Sequence, residues 1–351
     1  MADEAADADA PITVERLTPP EAAALPDAIR ATYGDSYDHA WAYDVDAVAE
    51  RLTDGTLVSF VGRASTPGEP RAAVVGHAGL LRDTTVDPVG ESGLAVVDPA
   101  WRSHHLFPTL KRALADWCGT EGMFGMYSEV TAAHPYSEKA NLHLGAREAG
   151  FLLGYIPADV TYKAIDASDG SHRLSVAVFW LATNPVPTRV VFAPSWHAPQ
   201  LRGLYEHLEL PREIVTEPAE RLMGDTQLST EELADHDDAV ITVLRAGADL
   251  VEAIGAEQRL LAERGRKAIY LDLALADPAT AALPEAVHDD LGFFFGAIVP
   301  ERRHGDVLRM QSLHDADVHP GDLTTASEFG AELLEYIFER KRTAAHGGVA
   351  P

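Results

Sequence analysis

A mixed α/β (α+β) fold made of two related units is what this 351-residue chain predicts, and three observations carry the prediction. The first is the order of periodicities over residues 12–165: two helical patterns, three short β-type runs, then helix, strand, short helix and strand. The second is a run that ends in Val97-Asp-Pro99, passes through Arg102 and enters a helical pattern. That is how a chain aims backbone amides at a phosphate group. The third is an echo, in residues 250–313, of the order found in residues 108–157.

Residues 1–10 are acidic and rich in alanine, and predict disorder. A first helix, Glu21–Tyr33, is entered through prolines, and a second, Asp44–Leu52, is closed by Asp54-Gly55. Strand signals follow at Leu57–Gly62, Ala72–Leu81 and Gly93–Val97, with Thr66-Pro-Gly-Glu-Pro70 as a turn between the first two. Leu106, Leu110 and Leu114 give helical spacing to Phe107–Trp117. Met123–Thr131 reads as a strand, Tyr136–Leu144 as a short helix, and Ala149–Tyr155 and Val160–Ile165 as strands. The polar run Asp166–Ser171 marks a boundary between a first unit, 11–165, and a second, 172–342, with 343–351 a loose tail.

The second unit opens with strands at Leu174–Ala182 and Arg189–Ala193 and a helix at Ala198–Leu208. A strand, Ala239–Val243, precedes the helix Leu250–Arg264, which Gly265 ends. Ala268–Leu275 (strand), Pro284–Asp290 (short helix), Leu291–Pro300 and Asp306–Leu313 (strand) complete the echo, and Glu328–Lys341 is a closing helix. The pair Leu144-Gly145 matches Leu291-Gly292, and Gly154-Tyr-Ile-Pro157 matches Gly296-Ala-Ile-Val-Pro300.

Composition narrows the partners. Asp and Glu number 55 against 28 Lys and Arg, a net charge of -27, and only five of the basic residues are lysines. Such a surface repels nucleic acid and anionic lipid. Acidic excess with few lysines also suits a salt-rich cytoplasm, where self-repulsion is screened within about 3 Å at 1 M. No apolar run approaches the roughly 18 residues that a membrane span needs, and the N-terminus has neither a basic n-region nor an h-region, so a cytoplasmic protein is expected. The single cysteine, Cys118, sits in an apolar helical pattern and reads as core. His304, His314, His319, Asp315 and Asp317 are scattered without ligand spacing, and no metal site is predicted.

Three motifs have a family likeness. Gly76-His-Ala-Gly-Leu80, Val97-Asp-Pro-Ala-Trp-Arg102 and Ser137-Glu-Lys-Ala-Asn-Leu-His-Leu-Gly145 together resemble the GNAT superfamily of acyl-CoA-dependent N-acyltransferases. The likeness covers residues 12–165, with a weaker second copy around 172–342. It implies two GNAT-like domains in tandem, each a mixed, mostly antiparallel sheet flanked by helices, and transfer of an acetyl group from acetyl-CoA to a primary amine.

By position in that family's motif, Ala95, Val96 and Val97 would pair with the pantetheine arm. Arg102, Ser103, His104, His105, Leu106 and Phe107 would wrap the pyrophosphate. His105 and Phe107 stand where the family has glycine and a small residue, chosen there for close backbone approach and an unusual φ. Either the histidines swing outward and add donors, or the pocket is obstructed. Glu91 and Glu129, with His134 third, are the candidate bases that take the amine's proton. Counting back from Gly145 puts Asn141 where the family often has the tyrosine that protonates the thiolate. An amide has no proton to give at neutral pH, so water or Ser137 would have to substitute. Tyr33, Tyr37 and Tyr43 would wall the acceptor pocket, the acceptor being a small-molecule or protein amine. In the second copy no Arg-x-x-Gly-x-Gly/Ala turn follows Leu244, which implies a degenerate unit that supports, dimerises or binds the acceptor. The alternative function is a non-catalytic acyl-CoA sensor on the same scaffold.

Overall fold

A computed structural model gives the fold and describes residues 11–34, 37, 39–65, 72–158, 172–218, 221–233, 236–302, 305–314 and 316–344. The predicted strand at Val160–Ile165, the turn at residues 66–70 and the polar break at 166–171 lie outside them. The first half runs β1 (Ile12–Arg16), α1 (Ala24–Tyr33), α2 (Val45–Asp54), β2 (Leu57–Ala64), β3 (Ala73–Leu81), β4 (Val89–Val97), α3 (Leu106–Thr120), β5 (Gly125–Thr131), α4 (Tyr136–His143), β6 (Arg147–Ile156) and β7 (Leu174–Ala182). The second half holds β8 (Arg189–Phe192), α5 (Ala198–His207), β9 (Arg212–Val215), β10 (Gln227–Leu233), β11 (Asp238–Arg245), α6 (Leu250–Glu263), β12 (Ala268–Ala274), α7 (Ala286–Asp289), β13 (Phe294–Val299), β14 (Val307–Leu313) and α8 (Glu328–Thr343).

Twelve of these strands form one sheet in the order β1-β2-β3-β4-β5-β7-β6-β13-β14-β12-β11-β10. Pairing is antiparallel except at β4–β5 and β11–β12, each joined by a right-length crossover helix, α3 or α6. The order β4-β5-β7-β6 in the first half is repeated as β11-β12-β14-β13 in the second, and the halves meet where β6 pairs with β13. Local chemistry fits the echo: Gly145 and Gly292 both follow a short helix with positive φ, 90° and 74°.

One strand departs from the expected division. Leu174–Ala182, read as the start of the second unit, lies between β5 and β6 of the first, paired to both along its length. Its run of apolar residues, buried from Leu174 to Trp180, fits a strand covered on both faces. Two strands that no hydrophobic run announced close the sheet at its edges, β1 and the polar β10.

Cores lie on both faces. Leu106, Leu110, Leu114 and Cys118 of α3 pack on β2, β3 and β5, while Leu25 and Ile29 of α1 and Val48 of α2 cover the other face. α8 spans the joint between halves, with Leu333, Ile337 and Phe338 in the largest core. No helix among the described residues is long and apolar enough to cross a membrane.

Candidate active site

The site begins with a fault in β4. Val89, Gly90 and Glu91 pair with Gly125, Met126 and Tyr127 of β5, and there the two strands part. Three residues on, Leu94 takes a left-handed conformation, φ 51°, and the register with β3 slips between His77 and Gly79. The buried His77 braces this bulge, its Nδ1 2.7 Å from the Leu94 carbonyl and its Nε2 2.9 Å from Ser59 Oγ. A carbonyl only accepts, so Nδ1 carries the proton and Nε2 accepts from the serine. Burial pulls the ring's pKa down to about 4, which keeps it neutral.

Between the parted strands opens a cavity of about 870 Å³, with Glu91 to Val97 on one wall and Glu129, Val130 and Thr131 on the other. Ala95, Val96 and Val97 lie along the cavity. Val96 and Val97 regain pairing with His77 and Gly76 of β3 on their far side.

At the end of β4 the Asp98 carboxylate accepts from the Ala100 amide, and Pro99–His104 forms a 3-10 turn that delivers the chain to α3. The side chains of Arg102, Ser103 and His104 lie outside the described residues. His105 sits at the helix N-cap with φ 53°, so the conformation that glycine would adopt freely is present here on a histidine. Its ring is exposed, whereas Phe107 forms part of the cavity wall. Leu106 points into the core. A Cβ on Gly62 or Gly76 would approach it to 2.6 or 2.7 Å, so both glycines seat the start of α3. The first helical amides lack intrahelical partners, and Pro108 has none to offer.

Both carboxylates predicted from sequence line the cavity. Glu129, on β5 past the point of parting, lies 3.8 Å from Arg309 Nη1 of β14, and its charge acts on the buried Tyr155 hydroxyl, whose pKa it helps to raise. That guanidinium is gripped by Asp272 of β12 through two bonds of 2.8 and 2.9 Å, so the second half fixes the setting of a first-half carboxylate. His134 also lines the cavity, its ring nitrogens buried without a hydrogen-bond partner and its pKa lowered by burial.

Asn141 is buried and stands back from the cavity. Its Nδ2 donates to the Ser137 carbonyl at 2.8 Å, and its Oδ1 accepts from Lys111 Nζ and Ser128 Oγ, both at 3.1 Å. Lys111 of α3 and Ser137 are the members of this group that reach the cavity wall. Burial draws the Lys111 pKa down to about 8, against the pull of Glu91. Sequence reasoning missed Lys111. The signal was a lysine, one of five, one position past Leu110 in the apolar stripe of a helix.

Aromatic rings form the remaining wall. Tyr33 and Tyr37 pack with their rings tilted by 38° and centroids 4.9 Å apart, and His39, Tyr155 and His236 continue the wall, with Tyr155 and His236 5.2 Å apart. Tyr43, expected beside them, instead accepts from the Tyr37 amide at 2.8 Å and holds that loop. His236 comes from the connection into β11, so the second half completes the cavity of the first. Nothing in the sequence singled it out.

The second half differs where it counts for a cavity. β11 keeps five paired residues with β12, Asp238 to Thr242, and carries no left-handed residue. Among the described residues no group of three or more His, Cys, Asp or Glu side chains could hold a metal ion.

No protein-family profile matches the sequence, nor does any curated protein. Solved structures similar to this chain include the ribosomal-protein-S18-alanine N-acetyltransferase from Escherichia coli, at 16% identity and TM-score 0.38, covering 50% of this chain and 97% of that one. An N-acetyltransferase from Staphylococcus aureus Mu50 matches at 16% identity and TM-score 0.38, over 50% of this chain and 99% of its own. A GNAT superfamily phosphinothricin acetyltransferase from Sinorhizobium meliloti, in complex with AcCoA, matches at 16% identity and TM-score 0.37, over 49% and 88%.

Proposed function

We propose that the first half of this chain transfers an acyl group, acetyl first, from a CoA thioester to a primary amine by direct attack. One observation carries the reading: β4 parts from β5 at Glu91 and opens a cavity that runs to the start of α3. An extended thioester arm suits a strand edge released from its neighbour, and a pyrophosphate suits the amides that open a helix. The residues fit the group, since the His105 ring is exposed and Phe107 alone of the two departures narrows the wall.

Chemistry follows from the lining. Glu91, at the fork of the strands, takes the proton of the attacking amine, directly or through water. Glu129, held beside Arg309, draws in a cationic amine between the faces of Tyr33, Tyr37 and Tyr155. A backbone amide of β4 beyond the bulge stabilises the oxyanion. The acceptor is accordingly a small amine that carries one positive charge and an apolar body, and the second half contributes to its pocket through His236. Nucleic acid is no partner of a chain with net charge -27.

Calorimetry with acetyl-CoA, followed by thiol release with tyramine, spermidine, phenethylamine and a lysine peptide, tests this. The expected results are binding, turnover with the aromatic amines first, and a loss of about a hundredfold in kcat/KM in Glu91→Gln. Binding without turnover on any amine favours the sensor, on which His105 and Phe107 would be departures retained for ligand holding alone. Absence of binding at both low and high salt refutes the acyl-CoA reading altogether.

A further inference from the structure

We infer that Lys111 is the acid of this site, delivering the proton that the departing CoA sulfur needs. The inference rests on the acyl-transfer reading above and supplies what that reading lacks: Asn141, at the position of the expected proton donor, has none to give. The structure places a different donor in front of it. Lys111 is only 2% exposed, yet it lines the cavity, on the second turn of the helix whose start closes it. Asn141 is locked by its own bonds. With Nδ2 committed to the Ser137 carbonyl and Ser128 donating to Oδ1, the amide presents only an acceptor to the lysine. It therefore takes one of the three N–H bonds of an ammonium and aims the rest, without competing for the proton. Asn141 and Ser128 are positioning residues on this account.

The electrostatics suit the task. Burial brings the ammonium to a pKa of about 8, close to the roughly 8.5 of a free thiol, and proton transfer between matched groups is efficient. The groups that face Lys111 are Glu91 on β4, which favours its charge, and Glu129 and His134 on and after β5, which share its cavity. In the step itself the amine nitrogen bonds to the thioester carbonyl carbon. The C–S bond breaks with its electron pair on sulfur, and Lys111 gives that sulfur a proton. Neutral Lys111 is then recharged from water, while the amine's protons leave through Glu91, so one proton is released overall for each ammonium acylated.

Three readouts test the assignment in the full chain. Lys111→Met should bind acetyl-CoA within threefold of wild type by calorimetry, and lose at least a hundredfold in kcat. Transfer from p-nitrophenyl acetate, whose leaving group needs no proton, should fall less than threefold. Lys111→Arg should restore part of the rate and move the alkaline limb of the pH profile upward from about 8. With 13C-ε lysine, five resonances are expected; the one missing in Lys111→Met should titrate at higher pH when CoA is added and not when S-methyl-CoA is added. A Lys111→Met rate within threefold of wild type, equal losses with both acyl donors, or an acetylated Lys111 by intact mass would each overturn the assignment. Failure of wild type to bind acetyl-CoA, or to turn over any amine, removes the underlying reading instead, and the assignment with it.

Discussion

His77 shows how much one side chain can decide. It is fully buried and neutral, and its two bonds fix the bulge from which the cavity opens. Its folded pKa, about 4, lies below the ordinary 6.5. Above pH 6.5 neither folded nor unfolded state binds the proton, so the stability is complete there. As pH falls toward 4 the unfolded chain gains a proton that the folded chain refuses, and stability is lost. Between pH 6.5 and 5 the loss assigned to this residue is about 2 kcal/mol. Urea unfolding of wild type and His77→Gln across that range checks it: the wild-type curve should fall by that much more than the variant's. Parallel curves would show that His77 does not titrate in the folding reaction.

At the scale of elements, the turn into α3 combines a rule broken and a rule kept. Asp98 caps the 3-10 turn and Pro99 opens it, both as helix starts prefer, and then His105 holds a left-handed conformation that costs a non-glycine residue about 1 kcal/mol. His105→Gly should raise the urea midpoint by an amount equal to about 0.5–1 kcal/mol, and a lower midpoint would mean that the ring makes contacts worth more than the strain. This is also where sequence and structure part company. The strand, the Asp-Pro turn, the helix and the Leu-Gly pair were legible because each rests on local rules of capping, period and φ. Glu129 was legible as a residue of a strand, whereas Glu91 was singled out by the family likeness, ahead of a strand that in the structure already begins at Val89. Lys111 and His236 were not, since one is a buried exception on an apolar stripe and the other reaches the cavity from a distant loop. β7 was misassigned for a similar reason: an apolar strand announces its burial and not its neighbours. β1 and β10 are short or polar, and only the open side of an adjacent strand recruits them.

For the whole molecule the decisive place is the joint of the two halves. β6 and β13 share one registered pair, Gly150 with Ala297, and a Cβ on Gly150 would lie 2.3 Å from the Ala297 Cα. Where that ladder is thin, Gln311 of β14 substitutes a side chain for backbone, accepting from the Leu153 amide at 2.8 Å and donating to the Phe151 carbonyl at 3.0 Å. Thr324 and Ala326 tie the run before α8 to Ala132 and Glu138 of the first half. These ties, with the core beneath α8, join the halves by backbone, side chain and core alike, and predict that they unfold together. Scanning calorimetry should give a single transition for wild type and two separated transitions for Gly150→Val. A single, merely shifted transition in the variant would mean that α8 alone holds the halves together.

A sheet of twelve strands that does not close must end twice, at β1 and at β10. Among the described residues each end is an open ladder, and two such ends on one molecule are the ingredients of a polymer, since molecule could add to molecule without limit. β10 meets that hazard with its own letters. Glu231 and Glu232 stand on the outermost strand opposite Val240 and Ala239, and β1 carries Glu15 in the same place at the far end. Glu15 is paired with Arg63, and Glu232 with Arg264 and Arg266, so both edges carry charged side chains of each sign rather than the flat apolar ladder on which a fibre grows.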